Sequence, residues 1–216
     1  MARPSFIRSH VFWLAVLVFL ALAIRLTAGA RAVDDAFISF RYAVNLSDGL
    51  GLVYNPGEVV LGTSAPLYAV LLAALARVAG TGSFPELALW VNALADCLSI
   101  ALVYLIARRL RVPRWPSVLA SVVVALSPLV IRYSIGGMET SVLTAMCLSS
   151  AYLYLQRRDL AAFLLAGLAV WVRPDALAFA ALPHTGLPEH QVLLIVEPIF
   201  QPGSSFGTGP HGSAAD

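Results

Sequence analysis

The chain carries six apolar segments separated by short polar or basic stretches, and the length of these segments limits the folds open to it. A helix needs about 20 apolar residues to cross a hydrocarbon core of about 30 Å. Soluble domains contain about 45 to 50% apolar and about 25% charged residues, whereas this chain has 59% and 12%. We therefore predict an all-α, multi-pass integral membrane protein. The segments are 11–28, 64–80, 86–107, 115–131, 141–155 and 160–172.

The basic residues between these segments predict the orientation, because short loops rich in Lys and Arg stay in the cytoplasm. If all six segments crossed, the "RRLRVPR" stretch at 108–114 would lie outside. The conflict disappears if segment 64–80, which is short and contains Pro66 and Arg77, lies on the outer surface as an amphipathic or re-entrant helix. We expect about five transmembrane helices. The basic clusters are Arg3 with Arg8, 108–114, and "QRRD" at 156–159.

This topology gives a cytoplasmic tail at 1–10, a transmembrane domain at 11–182 and a first external loop at 30–85. Within that loop, the spacing of Phe37, Phe40 and Val44 predicts an amphipathic helix at the membrane interface. "GGMET" at 136–140 and "RPD" at 173–175 fall on the same outer side. The first segment also fits a secretory signal, since basic residues precede it and "TAGARA" follows it.

Arg25 and Asp96 are two ionisable residues of the apolar segments that require an explanation. Arg25, near the end of the first segment, is expected to extend toward the interface. Asp96 lies in mid-segment, where a charge costs about 2.5 to 3.5 kcal/mol on insertion scales. A partner is therefore expected for Asp96, and a helix missing from this chain could supply it. Cys97 and Cys147 lie in apolar stretches and are interpreted as small buried side chains.

The sequence "DDAFISFRYAVNLSDGLGLVYNPGE" at 34–58, followed by "TSAPLYAVLLAAL", "GGMETSVLTA" and "AGLAVWVRPDAL", resembles the GT-C glycosyltransferases. These are multi-pass membrane enzymes that use polyprenyl-phosphate sugars. The likeness covers roughly residues 8–180 and is similar to the bacterial group that includes the mycobacterial terminal arabinofuranosyltransferases. That family has a carboxylate pair in the first external loop, which is taken to lie in the catalytic cavity. The resemblance implies this role for Asp34 and Asp35.

The chemistry of sugar transfer requires such groups. A sugar hydroxyl is a weak nucleophile until a positioned carboxylate accepts its proton, and a second carboxylate can stabilise an oxocarbenium-like transition state. We predict Asp35 as the base and Asp34 as its support, with the reverse assignment open, and Glu139 as a third catalytic carboxylate. A leaving phosphate favours arginine donors. The predicted substrate-binding residues are Arg41, Arg132, Arg173 and Asp175.

The expected function is transfer of a sugar from a polyprenyl-phosphate donor to a cell-envelope glycan or glycolipid, inverting and on the outer face of the inner membrane. Lipid is a partner and nucleic acid is not. No cofactor is predicted, although Asp34, Asp35 and Glu139 could together bind a divalent cation through oxygen. The alternatives are a non-catalytic relic of such an enzyme or, with less support, a transporter subunit marked by Asp96.

The three carboxylates and the "RPD" motif also have simpler interpretations. Asp34 and Asp35 could be solvated loop charges, Glu139 could favour a helix N-terminus, and "RPD" could be a helix break with a local ion pair.

The resemblance ends near Leu182. The stretch 183–216 is rich in Gly, Pro, Ser and His, and we expect a disordered or frameshifted tail there, following the N-terminal part of a longer transmembrane domain.

Overall fold

The computed structural model describes residues 5–58 and 62–181, with side chains from 12 to 179, and the predicted tail at 183–216 lies outside these residues. The described residues are helical and contain no strand, which confirms the all-α prediction. The helices are α1 (Ser5–Ala28), α2 (Asp34–Ser47), α3 (Pro66–Ala79), α4 (Phe84–Arg109), α5 (Arg114–Leu126), α6 (Pro128–Ile135), α7 (Thr140–Leu155), α8 (Asp159–Val172) and α9 (Ala176–Ala181).

One predicted helix is divided in two. The apolar segment 115–131 was expected to form a single span, but the chain bends by 47° between α5 and α6. Proline is the physical reason, because Pro128 has no N–H for the helical bond to the carbonyl of Val124. The predicted segment is therefore bent at Pro128, its crossing as one span stays a prediction, and α6 leads directly into the "GGMET" turn.

The bundle centres on α4, which packs along α7, α5 and α1, while α8 packs along α7. Among the described helices, α4 is long and apolar enough by itself to cross a membrane, and the bent pair α5 and α6 reaches that length together. The other apolar helices, including the described part of α1, are shorter. The number of spans remains a prediction.

Arg25 does not extend toward the interface as predicted. Its side chain is fully buried, and Nε lies 2.6 Å from Oδ2 of Asp96 on α4. Nη1 donates to the carbonyls of Ala21 and Ala125. Arg25 therefore joins α1 to α4 and to the end of α5, and the partner expected for Asp96 lies within this chain. The low polarity of the interior favours this pairing over two isolated charges.

The loop predicted between the first two segments contains α2, which packs on α3 and on the start of α4. Phe40 and Ala43 of α2, Leu72 of α3 and Phe84 of α4 belong to one buried cluster. The amphipathic helix is confirmed, but Phe37 is half-exposed rather than part of the buried face. In α3 one face is buried, and Arg77 is exposed on the other side.

Candidate active site

The chain between α1 and α2 is bound to the turn after α6. The backbone N–H of Arg31 donates to the carbonyl of Ile135 at 2.8 Å, and the N–H of Val33 donates to the carbonyl of Gly136 at 3.0 Å. α2 begins at the next residue, so its first turn, which contains Asp34 and Asp35, starts beside the "GGMET" turn. Two stretches more than a hundred residues apart in sequence are thus fixed together by main-chain bonds.

Glycine allows this close approach. Gly137 has a φ of +77°, which side chains disfavour. A Cβ there would lie 2.8 Å from Cζ of Phe40 and 3.4 Å from Cβ of Ala36, both on α2. A Cβ on Gly136 would lie 2.8 Å from the carbonyl oxygen of Arg132. Gly137 therefore lets the turn pack directly on α2, and Gly136 lets the turn follow closely on α6.

Two buried polar side chains hold the "GGMET" turn in place through hydrogen bonds. Tyr68 of α3 donates its hydroxyl to the carbonyl of Gly137 at 3.1 Å. Asn92 of α4 donates to the carbonyls of Ser134 and Met138 at 3.3 and 2.9 Å. Both side chains are fully buried. Neither residue was predicted from the sequence, although an asparagine within an apolar segment is the same kind of signal as Asp96.

The "RPD" motif is attached to the same turn through Glu139. Nη1 of Arg173 lies 3.4 Å from Oε1 of Glu139, and Nη2 lies 2.9 Å from Oδ2 of Asp175. Glu139 is buried and Asp175 is exposed. Arg173 therefore connects the start of α7 to the end of α8. Glu139 also occupies the N-cap position of α7, without a side-chain capping bond.

The local charges change the proton affinity of the "RPD" pair. The hydrogen bond to Asp175 raises the pKa of Arg173, and partial desolvation offsets only part of this rise. Desolvation would raise the pKa of Asp175, but the hydrogen bonds from Arg173 and its own backbone, with the Arg173 charge, lower it below its ordinary value. The pair is therefore charged at neutral pH.

The predicted catalytic pair is accessible to solvent. Asp34 and Asp35 are exposed in the first turn of α2, where the positive end of the helix dipole favours carboxylates. Within the described residues, neither carboxylate has an ion-pair partner. Their geometry leaves room for an acceptor hydroxyl to approach from water.

The predicted arginines differ in their surroundings. Arg41, on the exposed side of α2, donates Nε to the carbonyl of Tyr54 at 3.3 Å and so orders the following loop. Asn45 supports the same loop, with bonds to the carbonyls of Val53 and Tyr54 at 2.8 Å each. Arg132 is exposed on α6, one turn before Gly136.

The described residues do not bring three carboxylate, histidine or cysteine groups close enough to share a metal ion. Asp34, Asp35 and Glu139 thus do not form the common set of oxygen ligands that the sequence left open. The physical reason is their placement, since Glu139 is buried against Arg173 whereas the two aspartates face solvent.

No curated protein and no solved structure matches the chain. The family model described as dolichyl-phosphate-mannose-protein mannosyltransferase matches residues 50–181, more than half of the chain. The matched region contains the "GGMET" and "RPD" motifs and begins after Asp34 and Asp35. Members of this family are membrane proteins of the GT-C type that act as glycosyltransferases on lipid-linked sugars. The chain belongs to the dolichyl-phosphate-mannose-protein mannosyltransferase family.

Proposed function

We propose that this protein transfers a sugar from a polyprenyl-phosphate donor to a cell-envelope glycan or glycolipid at the outer face of the inner membrane. The observation that carries the proposal is the pair of backbone bonds from Arg31 and Val33 to Ile135 and Gly136. They place the first turn of α2 beside the "GGMET" turn, to which "RPD" is joined through Glu139. The family supports a lipid-linked donor.

In this proposal Asp35 accepts the proton of the acceptor hydroxyl while the acceptor oxygen attacks the anomeric carbon. The bond from that carbon to the phosphate oxygen breaks, and the polyprenyl phosphate leaves with the bonding electrons. A single displacement inverts the anomeric configuration. Asp34 stabilises positive charge developing on the sugar ring. Its exposure, like that of Asp35, suits an acceptor arriving from outside.

The cationic side chains have separate proposed roles. Arg132 and Arg41 bind the leaving phosphate, since both are exposed and the described residues provide no ion-pair partner for either. Arg173 and Asp175 contact the sugar, and Arg173 also orients Glu139. The "DDAFISFRYAVNLSDGLGLVYNPGE" stretch favours the arabinofuranosyltransferase-like group, and this narrower placement belongs to the proposal.

The test is sugar transfer by the purified protein in lipid, with a panel of radiolabelled polyprenyl-phosphate sugars. We expect Asp35→Asn to lower turnover by about 10² to 10⁴-fold, the range for loss of a general base, and Asp34→Asn to lower it less. Asp48→Asn is the matched control, because Asp48 is also exposed but lies at the opposite end of α2. Its turnover should equal that of the wild type.

Two results would contradict the proposal. Folded wild-type protein that turns over none of the donors would indicate a non-catalytic relic. Full turnover by Asp35→Asn and Asp34→Asn alike would place the base elsewhere.

A further inference from the structure

The end of the bundle far from the candidate site carries a concentration of arginine. α4 and α7 end side by side there, since Nε of Arg109 donates to the carbonyl of Leu155 at 3.3 Å. Asn92, which contacts the "GGMET" turn, lies 17 residues before Arg109, or about 25 Å along the helix. We call this region the basic end. It consists of Arg108, Arg109, Arg111, Arg114, Arg157 and Arg158.

Both helices stop there in the same way. The N–H of Val112 bonds to the carbonyl of Ala107, and the N–H of Arg158 bonds to the carbonyl of Leu153, the pattern of a Schellman motif. The residue that must adopt the left-handed conformation is Arg111 in one turn and Arg157 in the other, each with a φ of +63°. Glycine is the usual residue at this position.

An arginine at this position is unfavourable for the turn itself. A residue with a Cβ populates the left-handed conformation roughly tenfold less than its ordinary conformations. In two separate turns at one end of the molecule, arginine occupies the position where glycine is usual. Turn formation does not explain it, because glycine would form both turns with less strain.

Contacts within the protein account for only part of this charge. Arg108 donates to the carbonyl of Val112, and Arg109 donates to that of Leu155. The other four arginines are exposed, and the described region contains no ion pair for any of them, although Asp159 is nearby in sequence. These four arginines are Arg111, Arg114, Arg157 and Arg158.

Exposed apolar side chains adjoin these arginines. Trp115 is 70% exposed at the start of α5, and Leu160 is 74% exposed at the start of α8. Tryptophan beside basic residues at helix ends is typical of the headgroup layer of a membrane. Guanidinium groups also bind phosphate oxygens in a bidentate way. The surroundings therefore favour a phosphate that is carried by a lipid.

We propose that the basic end binds the headgroups of anionic phospholipids in the leaflet opposite the candidate site. Arg111 and Arg157 project from the two turns toward the phosphates, and Arg114 and Arg158 flank them. Trp115 and Leu160 lie at the boundary with the acyl chains. The interaction offsets the strain of the two left-handed arginines and fixes the depth of the bundle in the bilayer.

The test is retention of phosphatidylglycerol against phosphatidylcholine by the purified full chain in detergent, measured by native mass spectrometry. Each arginine near an anionic surface contributes about a fivefold factor. Arg111→Gly with Arg157→Gly should lower the preference for phosphatidylglycerol by about 25-fold. The thermal midpoint of this variant should be unchanged or higher, because glycine relieves the turns. Loss of folding therefore cannot imitate loss of binding.

Two variants serve as controls. Arg111→Lys with Arg157→Lys keeps the charge and should retain most of the preference. Arg77→Gln removes an exposed arginine of α3, outside the basic end, and should retain all of it. Equal retention of the two lipids by the wild type would overturn the proposal, as would an undiminished preference in the double glycine variant. Displacement of the lipid by millimolar inorganic phosphate would also overturn it, by indicating a site for the free anion.

Discussion

The ion pair of Arg25 and Asp96 is the most deeply buried charge in the described residues. Both side chains are almost without water contact, and Nη2 of Arg25 has no hydrogen-bond partner there. A buried pair contributes little net stability over an apolar pair of similar size, but removing one partner leaves a charge that nothing compensates. We therefore expect the pair to contribute more to which helices assemble than to how stable the bundle is.

This gives a prediction about single and double substitutions. Arg25→Met should lower the free energy of unfolding by about 3 to 5 kcal/mol, because the Asp96 charge remains buried alone. Arg25→Met combined with Asp96→Leu should restore most of that loss. The measurement is a double-mutant cycle from denaturant unfolding in detergent micelles. If the two changes simply add, the pair is not energetically coupled.

The Asp175 carboxylate gives a prediction about pH. Its folded pKa lies below its ordinary value of 3.8, so its contribution to stability is present above that value and is lost as the pH falls through the folded pKa. Arg173→Gln removes the hydrogen bond that contributes most to lowering the pKa of Asp175. We expect the carbon-13 titration of the Asp175 carboxyl to move upward in this variant. An unchanged titration would show that Arg173 does not hold the carboxylate.

Individual buried residues show which contacts the sequence predicts and which it does not. The cost of an intramembrane charge predicted that Asp96 needs a partner. Arg25 was not recognised as that partner, because its place near a helix end also suits an arginine that reaches the interface. Which face of α1 packs on α4 depends on tertiary contacts between distant segments. Tyr68 and Asn92 were missed for the same reason, since they bond to backbone carbonyls of a distant turn and to each other.

At the scale of elements, the contact between the "GGMET" turn and α2 depends on Gly137. Gly137→Ala would place a methyl group 2.8 Å from Cζ of Phe40, at a φ that disfavours any side chain. We expect a loss of roughly 1 to 3 kcal/mol in the free energy of unfolding, as for an overpacked core position. Turnover should fall too, because α2 would move away from the turn.

Gly167 on α8 is the matched control for this substitution. A Cβ there would meet no atom within 4 Å, and Gly167→Ala should raise the free energy of unfolding by about 0.5 to 1 kcal/mol through helix propensity. Unfolding curves of the two variants in the same detergent provide the comparison. Equal stability of Gly137→Ala and the wild type would mean that the turn yields without cost.

Helices were easier to predict than the breaks in them. Apolar runs and flanking turn residues gave the approximate bounds of α4, α7 and α8. The bend at Pro128 was missed, although proline within an apolar run is a direct sign of a break. The helix α9 was also not predicted, because six residues provide too little periodicity to distinguish a short helix from the end of a span.

At the scale of the whole molecule, the motifs of the candidate site and the basic end lie at opposite ends of α4. This separation agrees with the orientation expected from basic loops, in which the arginine turns remain in the cytoplasm. The sequence predicted the separation from the basic clusters together with the non-crossing position of segment 64–80. The contacts that join the three site motifs could not be predicted, because they connect distant segments. Main-chain bonds join the α1–α2 linker to the turn after α6, and the ion pair of Arg173 with Glu139 joins "RPD" to that turn.

Orientation can be tested with single cysteines in a background that lacks Cys97 and Cys147. Asp48→Cys should react with an impermeant thiol reagent applied to intact cells, whereas Arg111→Cys and Arg158→Cys should react only after the membrane is opened. All three positions are exposed in the folded chain, so failure to react reports sidedness rather than burial. Reaction of Arg111→Cys in intact cells would overturn the proposed non-crossing position of α3.

The separation of Arg25 and Asp96 along the chain also has a consequence for biosynthesis. They are 71 residues apart, and ribosomes add about 5 to 20 residues each second. α1 therefore emerges roughly 4 to 14 seconds before its partner carboxylate exists. During that interval the Arg25 guanidinium lacks the carboxylate that it contacts in the folded chain, so the contact between α1 and α4 forms only after α4 has been synthesised.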